Sequence, residues 1–212
     1  MPHSTVLISE VGPRDGLQSV KATMPTAAKL AWIDGLYAAG LREIEVCSFV
    51  PARLLPQMAD AAEVVRHAVT LPGLTVMALV PNLRGAEAAL AAGAHKLTIP
   101  VSASEAHSLA NVRKSRADMV AEVRSIIALK NERAPQVKVE AGVSTAFGCT
   151  ISGAVADEDV VWLAAQLAEA GADWKSGIPA SERRIHDRSH HRGPPTRGAS
   201  TRSPCVEGGT PG

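Results

Sequence analysis

The chain has 212 residues, of which 46% are hydrophobic and 20% charged, and its formal net charge is +1. This composition is typical of a soluble globular protein with one domain, and the near-neutral balance gives no reason to expect binding to nucleic acid or to a membrane surface. No apolar run is long enough to span a bilayer, and no signal peptide is recognisable. Cys47, Cys149 and Cys205 are an odd number without close spacing, which argues against a disulfide framework and favours the reduced cytoplasm.

Strand-like and helix-like segments alternate along the first 173 residues. The strands are rich in Val, Ile and Leu, as in a parallel sheet covered by helices. This alternation is compatible with a TIM barrel or a doubly wound sheet, although no Gly-rich phosphate loop follows the first strand. The predicted strands cover residues 6–10, 43–49, 74–80, 96–101 and 137–143, and the predicted helices cover residues 25–39, 56–69, 85–92, 115–133 and 157–170.

The first predicted strand, residues 6–10, is expected to be buried, and Gly12 and Pro13 end it in a tight turn. Arg14 and Asp15 lie on this turn, just past the C-terminal end of the strand. A guanidinium and a carboxylate held there suit the binding of a divalent metal and an anionic oxygen. From these two residues alone, a surface turn with a local ion pair is the simpler interpretation.

The wider stretch Gly-Pro-Arg-Asp-Gly-Leu-Gln (residues 12–18) closely resembles the first-strand signature of the 3-hydroxy-3-methylglutaryl-CoA lyase family. That family consists of metal-dependent barrel enzymes with a pyruvate carboxyltransferase domain. Similar motifs extend the resemblance over residues 5–173, and they are Glu45–Val50, Pro56–Met58, Val80–Gly85, Ser102–Glu105 and Ser144–Cys149. The resemblance implies a fold of the TIM (β/α)8 barrel type, of which about five βα units are recognisable.

The resemblance also implies a reaction, a cofactor and a first set of site residues. The reaction is the retro-Claisen cleavage of a 3-hydroxy-3-methylacyl-CoA to acetyl-CoA and acetoacetate in leucine breakdown, with Mg or Mn as cofactor. Asp15 is then a metal ligand, and Arg14 holds the acyl-CoA carbonyl and stabilises the enolate. Glu45, a carboxylate in an otherwise apolar strand, is expected inside the barrel near Arg14, and an ion pair with another basic residue is the alternative.

Five further residues are substrate-binding candidates because they end or follow predicted strands, where barrel active sites form. They are Gln18, Ser48, Asn82, Ser144 and Thr145. Capping of the next helix explains Asn82 equally well, and turn hydrogen bonding explains Ser144 and Thr145 equally well. Lys96 and Lys138 begin strands, on the face of a barrel that is associated with stability, and no role is predicted for them.

Residues 174–212 differ in composition from the rest of the chain. They contain six Gly, five Pro and five Ser but no Leu or Phe, and they carry a net charge of +4 against −3 for residues 1–173. Such a segment is predicted to be disordered. No sixth strand is recognisable after Gly171, whereas an eight-unit barrel usually needs about 250 residues. We interpret the segment as the product of a frameshift or a disrupted gene, and a natural short form with a basic tail is the alternative.

The resemblance assigns further metal ligands and a catalytic cysteine to later strands, and this chain has no counterpart for them. The chain is therefore expected to be an inactive, truncated form of a cytoplasmic acyl-CoA lyase, which would be a homodimer only at full length. Two alternatives stay open. One is a related acyl-CoA lyase or a condensing enzyme similar to isopropylmalate synthase, and the other is a non-catalytic half-barrel.

Overall fold

The computed structural model describes residues 6–173, so the predicted disorder of residues 174–212 lies outside the described range. Five parallel strands lie side by side in chain order. They are β1 (Ser9–Glu10), β2 (Glu43–Ser48), β3 (Thr75–Leu79), β4 (Lys96–Ser102) and β5 (Lys138–Ser144). A doubly wound sheet reverses its strand order, whereas this order is that of a barrel wall. The barrel-type fold, with five βα units, is confirmed.

Six α-helices within residues 6–173 connect or follow the strands. They are α1 (Thr26–Ala38), α2 (Ala61–Ala68), α3 (Leu83–Ala92), α4 (Glu105–Val112), α5 (Arg116–Arg133) and α6 (Asp157–Glu169). The predicted boundaries hold to within a few residues except that α4 was not predicted as a helix. Ser108 is its only buried residue, so it has no apolar stripe from which a helical period could be recognised. None of the helices in this range is long and apolar enough to cross a membrane.

The prediction that the first strand is buried is wrong for most of its length. Only Ser9 and Glu10 pair with β2, while Val6, Leu7 and Ile8 are 81%, 62% and 64% exposed. Within the described residues β1 is an edge strand with one neighbour. An apolar run is buried only where another element covers it, and nothing among residues 6–173 covers this one.

Local signals in the sequence explain where the longest helix begins. Ser115 and Asp118 form a capping box: the Ser115 hydroxyl accepts a hydrogen bond from the Asp118 amide (3.0 Å), and the Asp118 carboxylate accepts one from the Ser115 amide (3.2 Å). The helix then packs Met119, Val123 and Ile126 into the core, each with no exposed surface. These side chains hold α5 against the sheet and so fix the position of β4 and β5.

The two faces of the sheet differ in polarity. In β4, Leu97, Ile99 and Val101 are at most 1% exposed and face the helices. Lys96 and Thr98 alternate with them and therefore lie on the opposite, inner face, where both are partly exposed. The inner face is thus the place where polar side chains of different strands can meet.

Candidate active site

The turn after β1 is a single π-helical turn, Gly12–Gly16, and not a simple reverse turn. The amides of Arg14 and Asp15 both donate to the carbonyl of Val11, at 3.1 and 2.7 Å. A Cβ atom at Gly12 would lie 2.7 Å from Glu10 Oε1, which accepts the Gly12 amide at 2.6 Å, so a larger residue there would displace the Glu10 carboxylate. Single π turns occur frequently at functional sites. This one holds two ionisable side chains at the C-terminal end of the sheet.

The side chain of Arg14 lies against the inner face of β2. Its Nε donates to Glu45 Oε2 at 2.5 Å, and the hydroxyl of Thr98 in β4 donates to Glu45 Oε1. Glu45 is 2% exposed, so these two donors offset the loss of water around a buried carboxylate. The structure therefore brings Glu45 and Arg14 together, as the sequence predicted. Their part in a reaction remains a prediction.

Asp15 lies at the outer end of this cluster. Its carboxylate contacts Arg14 Nη1 at 2.7 Å, and its side chain is 61% exposed. Among residues 6–173 no group of three or more His, Cys, Asp or Glu side chains could hold a metal ion. A hard divalent cation needs several oxygen ligands. Asp15 can supply one of them, but the described residues alone do not fit such an ion.

A β-bulge between Glu45 and Cys47 sets which side chains of β2 face the site. A strict period of two would place Glu45 and Cys47 on one face. Instead, the Cys47 thiol contacts a backbone carbonyl of α2 at 3.6 Å, on the helix side. Ser48 pairs with Leu79, whose partner in β4 is Thr98, so Ser48 lies on the inner face together with Glu45. Bulges next to sites commonly redirect side chains in this way.

Two substrate-binding candidates lie further from this cluster. Asn82 is the N-cap of α3, and its Oδ1 accepts the Gly85 amide at 2.9 Å, which is the capping alternative left open by the sequence. Gln18 is exposed on the segment that follows the π turn. The structure does not place either side chain in contact with Arg14 or Glu45.

The ends of β4 and β5 carry a chain of hydroxyl groups. Ser102 Oγ lies 3.0 Å from Ser144 Oγ and 2.7 Å from His107 Nδ1. Thr145 has a left-handed backbone (φ 61°), which is unusual for a β-branched residue, and its hydroxyl accepts the Ser104 amide at 3.0 Å. The side chains of Ser144 and Thr145 thus bind residues of β4 and of the segment that follows it. Contact with a substrate remains a prediction for both.

The two cysteines in the described range are both buried, but different groups surround their sulfur atoms. Burial, followed by the nearby charge of Glu45, raises the pKa of the Cys47 thiol. The hydroxyls of Ser104 and Ser152, together with the Ser152 amide at 3.4 Å from the sulfur, lower the pKa of Cys149 to about 6. Cys149 follows β5 on the same end of the sheet as the hydroxyl chain, and no role was predicted for it.

A second ionic cluster lies at the opposite end of the inner face. Lys96 contacts the carboxylates of Glu43 (2.9 Å) and Glu140 (3.3 Å). Burial alone would lower the pKa of Lys96, but the hydrogen bond and charge of Glu43, and then Glu140, outweigh it and raise the pKa. Lys138 contacts Asp173 at 3.2 Å. Both lysines are thus held by carboxylates at the N-terminal ends of the strands.

Three residues near the site were missed in the sequence: Thr98, Ser102 and His107. The alternation of apolar and polar residues along β4 was a usable signal for Thr98 and Ser102. This alternation does not indicate which carboxylate accepts a hydrogen bond from Thr98, because that depends on the order of the strands in the sheet. No spacing pattern marks His107, because its hydrogen bond to Ser102 spans the start of α4.

Comparison with known proteins gives one family. The model of the HMGL-like family matches residues 5–179. The 3-hydroxy-3-isohexenylglutaryl-CoA/hydroxy-methylglutaryl-CoA lyase of Pseudomonas aeruginosa is 42% identical over 166 residues, which are 78% of this chain and 55% of that protein. The cytoplasmic 3-hydroxy-3-methylglutaryl-CoA lyase of Rattus norvegicus is 39% identical over 78% of this chain and 48% of that protein. The chain therefore spans about half the length of the curated relatives it matches.

Solved structures agree with these sequence matches. The crystal structure of hydroxymethylglutaryl-CoA lyase from Pseudomonas aeruginosa has a TM-score of 0.74 and 40% identity, and covers 79% of this chain and 55% of that one. An HMG-CoA lyase from Acinetobacter baumannii in complex with coenzyme A and 3-methylmalate has a TM-score of 0.73 and 32% identity, over 78% of this chain and 53% of that one. These values place the five-stranded sheet within the wall of such barrels.

Proposed function

This chain belongs to the HMGL-like family, and from that premise we propose that it carries the arginine–glutamate–aspartate part of a carbon–carbon lyase site that acts on 3-hydroxy-3-methylglutaryl-CoA. The observation that carries the proposal is the guanidinium of Arg14, held at 2.5 Å by the buried Glu45 beside the exposed Asp15. Relatives at about 40% identity are named as lyases of this thioester, which supports the same substrate class here. The condensing-enzyme alternative gains no such support.

The proposed reaction breaks the bond between C2 and C3 of the acyl chain. A base takes the proton of the tertiary hydroxyl, the C3–O group becomes the ketone of acetoacetate, and the electron pair of the broken bond forms the enolate of acetyl-CoA. Protonation of the enolate completes the products. Negative charge develops on the thioester oxygen, where a positioned guanidinium stabilises the transition state more than the ground state. That is the role proposed for Arg14, and Glu45 holds the guanidinium of Arg14 in place.

The proposal includes a divalent metal, Mg or Mn, with Asp15 as one oxygen ligand. The remaining ligands would have to come from outside residues 6–173, so the steps above assign roles to Arg14 and Glu45 and leave the base unassigned. We accordingly expect no turnover from residues 6–173 by themselves.

The remaining predictions concern contacts with the thioester, the cellular location of the protein and its oligomeric state. Ser48 on the inner face, Ser144 and Thr145 at the end of β5, and the more distant Gln18 and Asn82 would contact the thioester substrate. The Acinetobacter baumannii lyase was solved in complex with coenzyme A, which supports this class of ligand. A cytoplasmic location is proposed because relatives from rat and mouse are named as cytoplasmic, and a homodimer is proposed for the full-length form.

A chimera tests the proposal without requiring a complete site from this chain. Residues 1–173 are joined to the part of the Pseudomonas aeruginosa relative that lies beyond the matched segment, and 3-hydroxy-3-methylglutaryl-CoA is supplied with Mg or Mn. We expect equimolar acetyl-CoA and acetoacetate, lost on chelation of the metal and in Asp15→Asn. A folded chimera that releases both products equally well with Asp15→Asn would contradict the assigned site.

A further inference from the structure

We propose that Thr98 is a positioning residue for Arg14, acting through Glu45, an inference that rests on the function proposed above for Arg14. The three side chains form one line across the inner face of the sheet: hydroxyl, carboxylate, guanidinium. Thr98 Oγ1 donates to Glu45 Oε1, and Arg14 Nε donates to Glu45 Oε2 at 2.5 Å. Each oxygen of the carboxylate thus has its own donor.

The strand order makes this contact possible. Glu45 lies in β2 and Thr98 in β4, with β3 between them. Leu79 of β3 pairs with Thr98, and Met77 pairs with Glu45, so Thr98 lies one row nearer the C-terminal end of the sheet. The long side chain of Glu45 reaches past β3 towards that row. Its carboxylate is therefore drawn to the end of the sheet at which Arg14 enters.

Burial gives the contact its importance. Glu45 is 2% exposed, so water cannot replace a missing donor at either oxygen. Threonine is branched at Cβ and its χ1 angle is restricted, so its hydroxyl is a fixed donor. A carboxylate with one fixed donor at each oxygen has one orientation. Without Thr98 the carboxylate can rotate about its terminal bond, and the geometry of its bond to Arg14 Nε is no longer set.

The contact could instead serve only to satisfy a buried carboxylate, and the two possibilities differ in what they do to Arg14. A merely structural hydroxyl affects the unfolding of the protein but leaves the Arg14 Nε–H hydrogen bond unchanged. A positioning hydroxyl changes that bond in the folded state. The readout must therefore be a property of Arg14 in the native protein.

The experiment measures hydrogen exchange of the Arg14 Nε–H group by NMR in the ¹⁵N-labelled 212-residue chain without any thioester. Thr98→Val removes the hydroxyl at nearly constant shape, and Thr98→Ser keeps it. Thr75→Val is the matched control, because Thr75 also lies in the sheet but is not a hydrogen-bond partner of Glu45. Thr98→Ala takes the place of Thr98→Val if the valine variant does not give a folded spectrum.

We expect exchange of Arg14 Nε–H to become about tenfold faster in Thr98→Val, the factor that corresponds to one hydrogen bond to a charged group. Exchange in Thr98→Ser and Thr75→Val should stay within about twofold of the wild type, which is small against that factor. An unchanged rate in folded Thr98→Val, or an equal increase in Thr75→Val, would overturn the proposal. Because no substrate is present, this result is independent of whether the protein is a lyase.

Discussion

The inner face of the sheet carries two ionic clusters at opposite ends, and they are built differently from similar residues. Glu43 and Glu45 lie two residues apart in β2 and both face inward. Glu43 shares Lys96 with Glu140, so a single cation lies between two carboxylates. Glu45 binds Arg14, whose guanidinium continues to Asp15 at the exposed edge. The two cations are about equally buried, with Arg14 16% and Lys96 18% exposed, but only the second cluster carries a well-exposed carboxylate, that of Asp15.

This difference indicates a structural role for one end of β2 and a chemical role for the other. A lysine that lies between two carboxylates has its hydrogen bonds directed at them, which suits a structural role at the N-terminal ends of barrel strands. A guanidinium has five N–H donors in a planar fork. Arg14 uses its Nε and Nη1 on Glu45 and Asp15, so its fork is fixed by carboxylates on two sides while it lies at the C-terminal end of the sheet.

Removal of Arg14 should have the largest effect, because it should lower both kcat and the free energy of unfolding. In the chimera, Arg14→Ala is expected to lower kcat by roughly 10²–10³-fold, because a positioned donor to the developing oxyanion is lost. It should also lower the free energy of unfolding by about 3 kcal/mol, because Glu45 remains buried without its cation. Arg14→Lys keeps the charge and should recover much of the stability but less of kcat, since lysine lacks the fork. Steady-state kinetics and urea unfolding measure the two effects, and equal recovery of both would contradict the account.

Removal of Lys96 should affect stability alone. Lys96→Met leaves Glu43 facing Glu140 and is expected to cost about 2 kcal/mol, less than for a fully buried pair because the lysine side chain is 18% exposed. The pKa of Lys96 is raised in the folded protein, so its stabilising effect is complete below pH 10.5 and is lost as the pH rises through the folded value. Unfolding of wild type and variant compared at pH 8 and above pH 10.5 checks the sign. A change of kcat in the chimera by more than about threefold would assign this end to the chemistry.

The two buried cysteines of the described range differ in the pKa of their thiols. The pKa of Cys149 is lowered to about 6, but the residue is only 7% exposed, so iodoacetamide should modify it slowly, with a rate that rises through pH 6 and is near its plateau at pH 7.5. Cys47, whose pKa is raised, should react only on unfolding. Because the pKa of Cys149 is lower than its usual 9.0, its thiolate stabilises the fold above pH 9, and this contribution is lost as the pH falls through 6. Peptide mapping separates the sites, and equal reactivity of both thiols at pH 7 would refute the assignment.

The smallest expected effect is that of Asp15 on stability. Its side chain is 61% exposed and its contact is with the adjacent Arg14, so Asp15→Asn should change the free energy of unfolding by less than about 0.5 kcal/mol. Thermal unfolding at two salt concentrations provides the measurement. A loss of more than about 2 kcal/mol would show that Asp15 belongs to the structural network, and its proposed part in metal binding would lose its basis.

Much of the fold could be predicted because the periods of helices and strands are local properties of the sequence. The exposure of Val6, Leu7 and Ile8 could not be predicted, because burial of a strand depends on its neighbours. The proximity of Arg14 and Glu45 followed from the family motifs and from the ends of two adjacent strands. The contact of Thr98 depends on a strand two places away, and the bulge before Cys47 is invisible to a period-two pattern, so neither followed from the sequence.

The most direct test of the account is the position of a bound thioester relative to the two clusters. A crystal structure of the chimera carrying Asp15→Asn, which should leave 3-hydroxy-3-methylglutaryl-CoA uncleaved, would show it. The account predicts the thioester carbonyl oxygen about 3 Å from an N–H group of Arg14, with Thr98 and Glu45 in the arrangement described above. A thioester bound at the Lys96 end, or bound without contact to Arg14, would contradict it.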